Sequence, residues 1–137
     1  MSVIIKALTT TTGAPVLDKS LAAQNDFFNL LQTPNVVYDI YSPPNDATAK
    51  RAAIVKAIRI ANTHTANVKI TLYVNRPNAS GLNRRRLLTP ADMTLGPNQV
   101  YVDESELTLE PGDKIQAKAD VGSVIQYWIT GLERDVS

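Results

Sequence analysis

Few side chains in this sequence are of types that do chemistry, and they are sparsely placed. The single histidine, His64, sits among threonines in Asn62-Thr63-His64-Thr65, and the chain has no cysteine. Nucleophile–base pairs built on cysteine are thereby excluded. A catalytic His64 would need a carboxylate brought to it from a distant segment. Asp103-Glu104-Ser105-Glu106 groups three acids, but without the spaced oxygen ligands and glycine of a calcium loop it reads as a solvated connector. The six glycines are scattered singly, so no phosphate cradle is formed. No catalytic residue, cofactor site or metal site emerges, and the chain reads as a protein without enzymatic activity.

Two features are suited to contact instead. Arg84-Arg85-Arg86 is the one charge run, preceded by Arg76. It can meet an acidic surface or phosphate, or it can belong to an edge strand whose arginines alternate between solvent and a sheet face. No aromatic residues interleave with it, so a single-strand nucleic-acid platform is not indicated. Trp128 beside Tyr127 is either core or a stacking platform for a sugar.

The elements that position these residues are mostly strands. Val68, Ile70, Leu72 and Val74 alternate with Lys69, Thr71, Tyr73 and Asn75, the period of a half-buried strand. Ahead of it, Ala52 to Ala61 is apolar on much of both faces, with Ile54, Ile58 and Ile60 expected together on the face of Lys56. The polar joint from Asn62 to Asn67 makes the two runs a long β-hairpin. Further strands are expected at Val36–Ser42, Asn83–Leu88, around Tyr101, at Glu106–Glu110, Lys114–Ala119 and Val124–Glu133. Glu110-Pro111-Gly112-Asp113 is a tight turn in which the glycine takes positive φ. About eight strands with turn signals between them predict an all-β, antiparallel β-sandwich or jelly-roll-like fold over residues 36–137. Residues 1–35 form an N-terminal arm, with a possible strand at Val3–Leu8 and one short helix over Ser20–Gln32. That arm, with Phe27 and Phe28, packs over an end of its own core or docks on a neighbouring subunit.

Composition narrows the class further. The 137 residues suit one domain, and a net charge of +1 supplies no field for nucleic acid. No apolar run approaches the roughly 20 residues of a membrane-spanning helix, and Met1 to Pro15 lacks a secretory pattern. A soluble protein made in a cytoplasm is expected. Exposed sheet edges have to be covered or paired, and self-association is one way to do so.

The series Ile54 to Asn62, Val68 to Val74, Leu107 to Ile115 and Ile125 to Glu133 resembles small bacteriophage virion structural proteins. Their pattern is an "IVKSIRLAN"-type strand, a polar turn, a "VTLYV" strand, an "L-x-L-x-x-GD-x-I" turn and a closing strand ending in "G-x-E". The resemblance covers about residues 36 to 134. It implies a β-sandwich that decorates or cements a capsid, often as a homotrimer, or that serves in a tail, neck or fibre base. Expected partners are the major capsid protein or other virion proteins, with no nucleic acid and no membrane, and the expected location is the virion. The resemblance brings no catalytic residues. The Arg84–Arg86 run and the extended N-terminal segment with Phe27 and Phe28 depart from the pattern, and the candidate partner contacts are Phe27, Phe28, Arg76, Arg84, Arg85 and Arg86. A reading of another class is a carbohydrate-binding module using Trp128 and Tyr127.

Overall fold

The computed structural model describes residues 3–7, 34–48 and 50–136. Ten strands occur among them: β1 (Val3–Ala7), β2 (Tyr38–Tyr41), β3 (Arg51–Asn62), β4 (Val68–Asn75), β5 (Arg85–Leu87), β6 (Met93–Leu95), β7 (Val100–Asp103), β8 (Leu107–Leu109), β9 (Lys114–Ala119) and β10 (Ile125–Asp135). They form two antiparallel sheets. The first has the order β1-β10-β3-β7, with β8 also on β3; the second has the order β2-β9-β4-β5, with β6 also on β4. The expected helix over Ser20–Gln32, with Phe27 and Phe28, lies outside the described residues.

Alternation puts one face of each sheet inward. Val68, Ile70 and Leu72 of β4 and Ile115, Ala117 and Ala119 of β9 are at most 1% exposed. They join Ile58 and Ile60 of β3 and Ile125, Tyr127 and Ile129 of β10 in one apolar cluster. The turn at Glu110–Asp113 forms as its residues dictate: Gly112 has φ +88°, and the Asp113 amide donates to the Glu110 carbonyl at 3.0 Å.

The long hairpin does not form. β3 pairs with β10, β7 and β8, whereas β4 pairs with β9, β5 and β6, so the joint at residues 62–67 carries the chain from one sheet to the other. Asn62 holds this arch. Its buried amide donates to the carbonyls of Ala66, Leu95 and Gly96 at 2.9–3.0 Å. Its side-chain oxygen accepts the His64 amide at 2.8 Å. The Asn62 backbone amide donates to the Gln99 carbonyl at 3.0 Å, and the Thr63 amide and hydroxyl donate to the Val124 carbonyl at 2.9 and 2.7 Å, which ties the joint to other segments. The apolar faces of β3 and β4 thereby oppose one another across the core, which removes both from water.

β3 also departs from its expected faces. Ala53 and Val55 point inward, Ile54 is 36% exposed, and Ile58 and Ile60 point inward again. The change of parity comes from a bulge: Thr130 pairs with Ala57 while Gly131 pairs with Val55, which leaves Lys56 without an opposite number. An extra residue in one strand reverses the facing of everything beyond it. Gly131 permits the close approach at that point. A Cβ there would overlap the Ile54 carbonyl oxygen and lie 3.0 Å from the Val55 Cα.

Polar ties close the ends. The Tyr41 hydroxyl on β2 donates to the buried Glu133 on β10 at 2.5 Å, joining the two sheets. Arg51 reaches Glu133 at 3.3 Å and Asp135 at 3.0 Å. Burial first, and then the Glu133 carboxylate, hold the Tyr41 hydroxyl far above its ordinary pKa.

Candidate functional site: an arginine-lined edge

The arginine run occupies the β4–β5 hairpin, where Tyr73, Val74 and Asn75 pair with Leu87, Arg86 and Arg85. The loop between the strands is built from its own polar residues. Asn78 Oδ1 accepts the amides of Ser80 and Leu82, each at 2.9 Å. Gly81 takes φ +80° to complete the turn. The Asn75 side chain bonds Asn83 and accepts the Arg84 amide, both at 2.9 Å. Side-chain bonds of this kind, formed within a few residues, fix a loop without a core beneath it.

Strand alternation then separates the three arginines. Arg85 lies over the outer face of the second sheet, where its Nε donates to Gln116 Oε1 at 2.7 Å. Its guanidinium is 5.9 Å from the Tyr73 ring centre. Gln116 in turn donates to Asp39 at 2.6 Å, and Lys114 meets the same carboxylate at 2.9 Å. Arg84 and Arg86 turn the other way, into a cleft where the open edges of the two sheets meet. Val74 of β4 and Leu107 and Thr108 of β8 line it, with Arg76 and Asp113 at one side.

Within this cleft Arg76 is already matched. Its Nε and Nη2 donate to the two oxygens of the buried Asp113 at 2.8 and 2.7 Å, and Asp113 also accepts the Glu110 amide at 2.8 Å. The Asp113 hydrogen bonds, foremost, raise the guanidinium's pKa, so Arg76 stays charged while its charge is balanced. Arg84 differs, because its Nε and Nη2 donate to the carbonyls of Arg76 at 2.8 Å and Pro77 at 3.4 Å. Among the described residues Arg86 reaches only the Arg85 carbonyl, at 3.1 Å. Among the described residues, neither Arg84 nor Arg86 has a carboxylate within ion-pair distance. Leu82 and Leu87, 65% and 56% exposed, bracket the run along the chain, with Leu87 on the same side of β5 as Arg85. The signal for them in the sequence is two apolar residues bracketing a charge run, Leu82 in the loop and Leu87 at the end of β5.

The other candidates fall apart. Tyr127 and Trp128 are successive residues of β10 and face opposite ways. Tyr127 is 2% exposed in the core, so the two rings cannot share one platform. Trp128 is half-buried on the outer face of the first sheet, in cross-strand register with Arg59. In the acidic stretch, Asp103 accepts the Ser105 amide at 2.9 Å and Glu106 pairs with Lys56 at 3.1 Å. No group of three or more histidines, cysteines or acids among the described residues is placed to hold a metal ion.

No family model and no curated protein matches the sequence. Solved structures resemble the fold. One chain of the T13 infectious bursal disease virus (IBDV) particle aligns with 96% of this chain at 10% identity and a TM-score of 0.51. A chain of the same virus, Gx strain, aligns with 97% at 13% identity and a TM-score of 0.49. A pentameric capsid protein from metagenomic phage sequences aligns over 93% of this chain and 79% of its own length, at 16% identity and a TM-score of 0.32. The present chain spans only 30% and 32% of the two IBDV chains. At such identities the likeness is one of fold, and it rests on the T13 particle chain.

Proposed function

We propose that the protein is a non-enzymatic structural component of a phage virion, and that it decorates or cements the capsid through contacts between subunits. One observation carries this reading. Almost the whole two-sheet unit, 96% of the chain, superposes on part of a chain from an icosahedral virus particle. The exposed edge with Leu82, Leu87 and two arginines that have no ion-pair partner among the described residues supports it, because arginine and large apolar side chains anchor lasting protein interfaces. On this reading the neighbours are the major capsid protein or other virion proteins, and further copies of this chain. A place in the tail, neck or fibre base uses the same fold and the same kind of contact.

Immunogold labelling of intact particles from the source, viewed by electron microscopy, tests the proposal. Label spread over the heads is the expected result. Label confined to tails, necks or fibre tips keeps the structural role and moves it, and particles bearing no label overturn it.

A further inference from the structure

We infer that the cleft between β5 and β8 is a seat for a carboxylate side chain presented by an adjoining protein surface, gripped by Arg84 and Arg86. The inference deepens the proposed structural role by naming the chemistry of one contact.

Charge is the first argument. Five charged groups meet at this edge, three of them basic: Arg76 pairs with Asp113 at 2.7 Å and stands 3.8 Å from Glu110, which leaves the basic groups one in excess. Arg84 and Arg86 project into the same space, and among the described residues no carboxylate lies within ion-pair distance of either. Two adjacent guanidinium groups repel, and an anion between them relieves that repulsion.

The second argument is preorganisation. Two backbone carbonyls already hold Arg84 through Nε and Nη2. A guanidinium has five N–H donors, so three remain for a partner on a side chain whose freedom is largely spent. Arg86 is tethered through Nη1 alone and can swing to complete a fork. Planar, charge-assisted pairing of this kind suits a carboxylate better than a neutral acceptor.

The third argument separates a protein carboxylate from nucleic acid. Glu110, with its side chain 67% exposed, stands 3.8 Å from Arg76 at the same edge. A phosphate backbone repeats its charge every few ångströms and would have to pass that acid. A single carboxylate would not. Val74 and Leu107, which line the cleft, also add apolar contact of the sort a protein surface matches.

The test uses the full chain and two synthetic peptides, acetyl-Glu-Val-Glu-Val-Glu-amide and its glutamine twin. Binding is followed through the Nε–Hε resonances of the arginines by NMR. The expected result is weak, saturable binding of the glutamate peptide at millimolar concentration, with shifts at Arg84 and Arg86 and none at Arg85. The glutamine peptide should leave these resonances in place. Arg84→Ser and Arg86→Ser should each weaken the glutamate peptide by about fivefold, the effect of one exposed ion pair near 1 kcal/mol. Arg85→Ser should not change its affinity. Equal shifts with both peptides, no shift at roughly 10 mM, or undiminished binding by the Arg84→Ser, Arg86→Ser double variant would each overturn the inference. So would tighter binding of a thymidine 20-mer that displaces the peptide. These outcomes are independent of the particle labelling, so either idea can fail alone.

Discussion

Gly131→Ala is the most informative single substitution in the fold. At an ordinary strand position, replacing glycine with alanine stabilises by about 0.4–1 kcal/mol, since the unfolded chain loses freedom. Here the new methyl group would overlap the Ile54 carbonyl oxygen and come within 3.0 Å of the Ile54 carbonyl carbon and the Val55 Cα. All three are backbone atoms of β3, so no side chain can rotate away, and β3 and β10 must separate at the bulge. Overpacking against mobile side chains costs about 1–3 kcal/mol; a backbone wall belongs at the top of that range or above. After the entropic gain is subtracted, the expected net loss is about 2–3 kcal/mol, or roughly 6–12 °C in Tm for a domain of this size. Urea unfolding followed by far-UV circular dichroism measures it. Gly81→Ala is the comparison: Gly81 has φ +80° and no atom within 4 Å of an added Cβ, so it should lose only the left-handed penalty of about 1–2 kcal/mol. A Gly131→Ala protein as stable as the parent would refute the claim that close approach at the bulge requires glycine.

Three other outcomes are expected. The buried Tyr127 hydroxyl has no hydrogen-bond partner among the described residues, so Tyr127→Phe should be neutral or stabilising by up to about 1 kcal/mol; a clear loss in the urea midpoint would reveal a partner. Burial raises the pKa of both Tyr41 and Tyr127 above the ordinary 10.0, so the unfolded chain releases these protons first as pH rises. Their contribution to stability is intact below pH 10 and should fall above it by about 1.4 kcal/mol per pH unit for each tyrosine; a urea midpoint flat from pH 10 to 11.5 would contradict this. Replacing Arg84, Arg85 and Arg86 together with serine should lower occupancy on particles while the fold persists. Because Arg85 bonds Gln116, the triple variant should also lose about 0.5–1.5 kcal/mol of stability, and unchanged occupancy would remove this edge as a docking element.

Much of the all-β character is legible in local pattern. Val68 to Val74 announces its inward face residue by residue, and the Pro-Gly of residues 111–112 announces its turn. Alternation also implies that Arg84 and Arg86 share one side and Arg85 takes the other. What local pattern carries is which face of a strand is apolar, because burial acts on each side chain separately. It does not carry which strand lies alongside: the joint at residues 62–67 suits a hairpin and an arch equally. Bonds to distant segments hold the arch, from Asn62 to Leu95 and Gly96 and from Thr63 to Val124. The reversal of facing at Lys56 is likewise invisible in β3 itself, since it depends on Gly131 from the far end of the chain. The arginine cleft follows the same rule. The sequence by itself determined that the chain would be strands with a basic edge. Tertiary structure alone decided that Asp113 neutralises Arg76 and that Arg84 and Arg86 have no ion-pair partner among the described residues, because ion pairing depends on distance in space, and residues 37 apart along the chain become neighbours only when the sheets close.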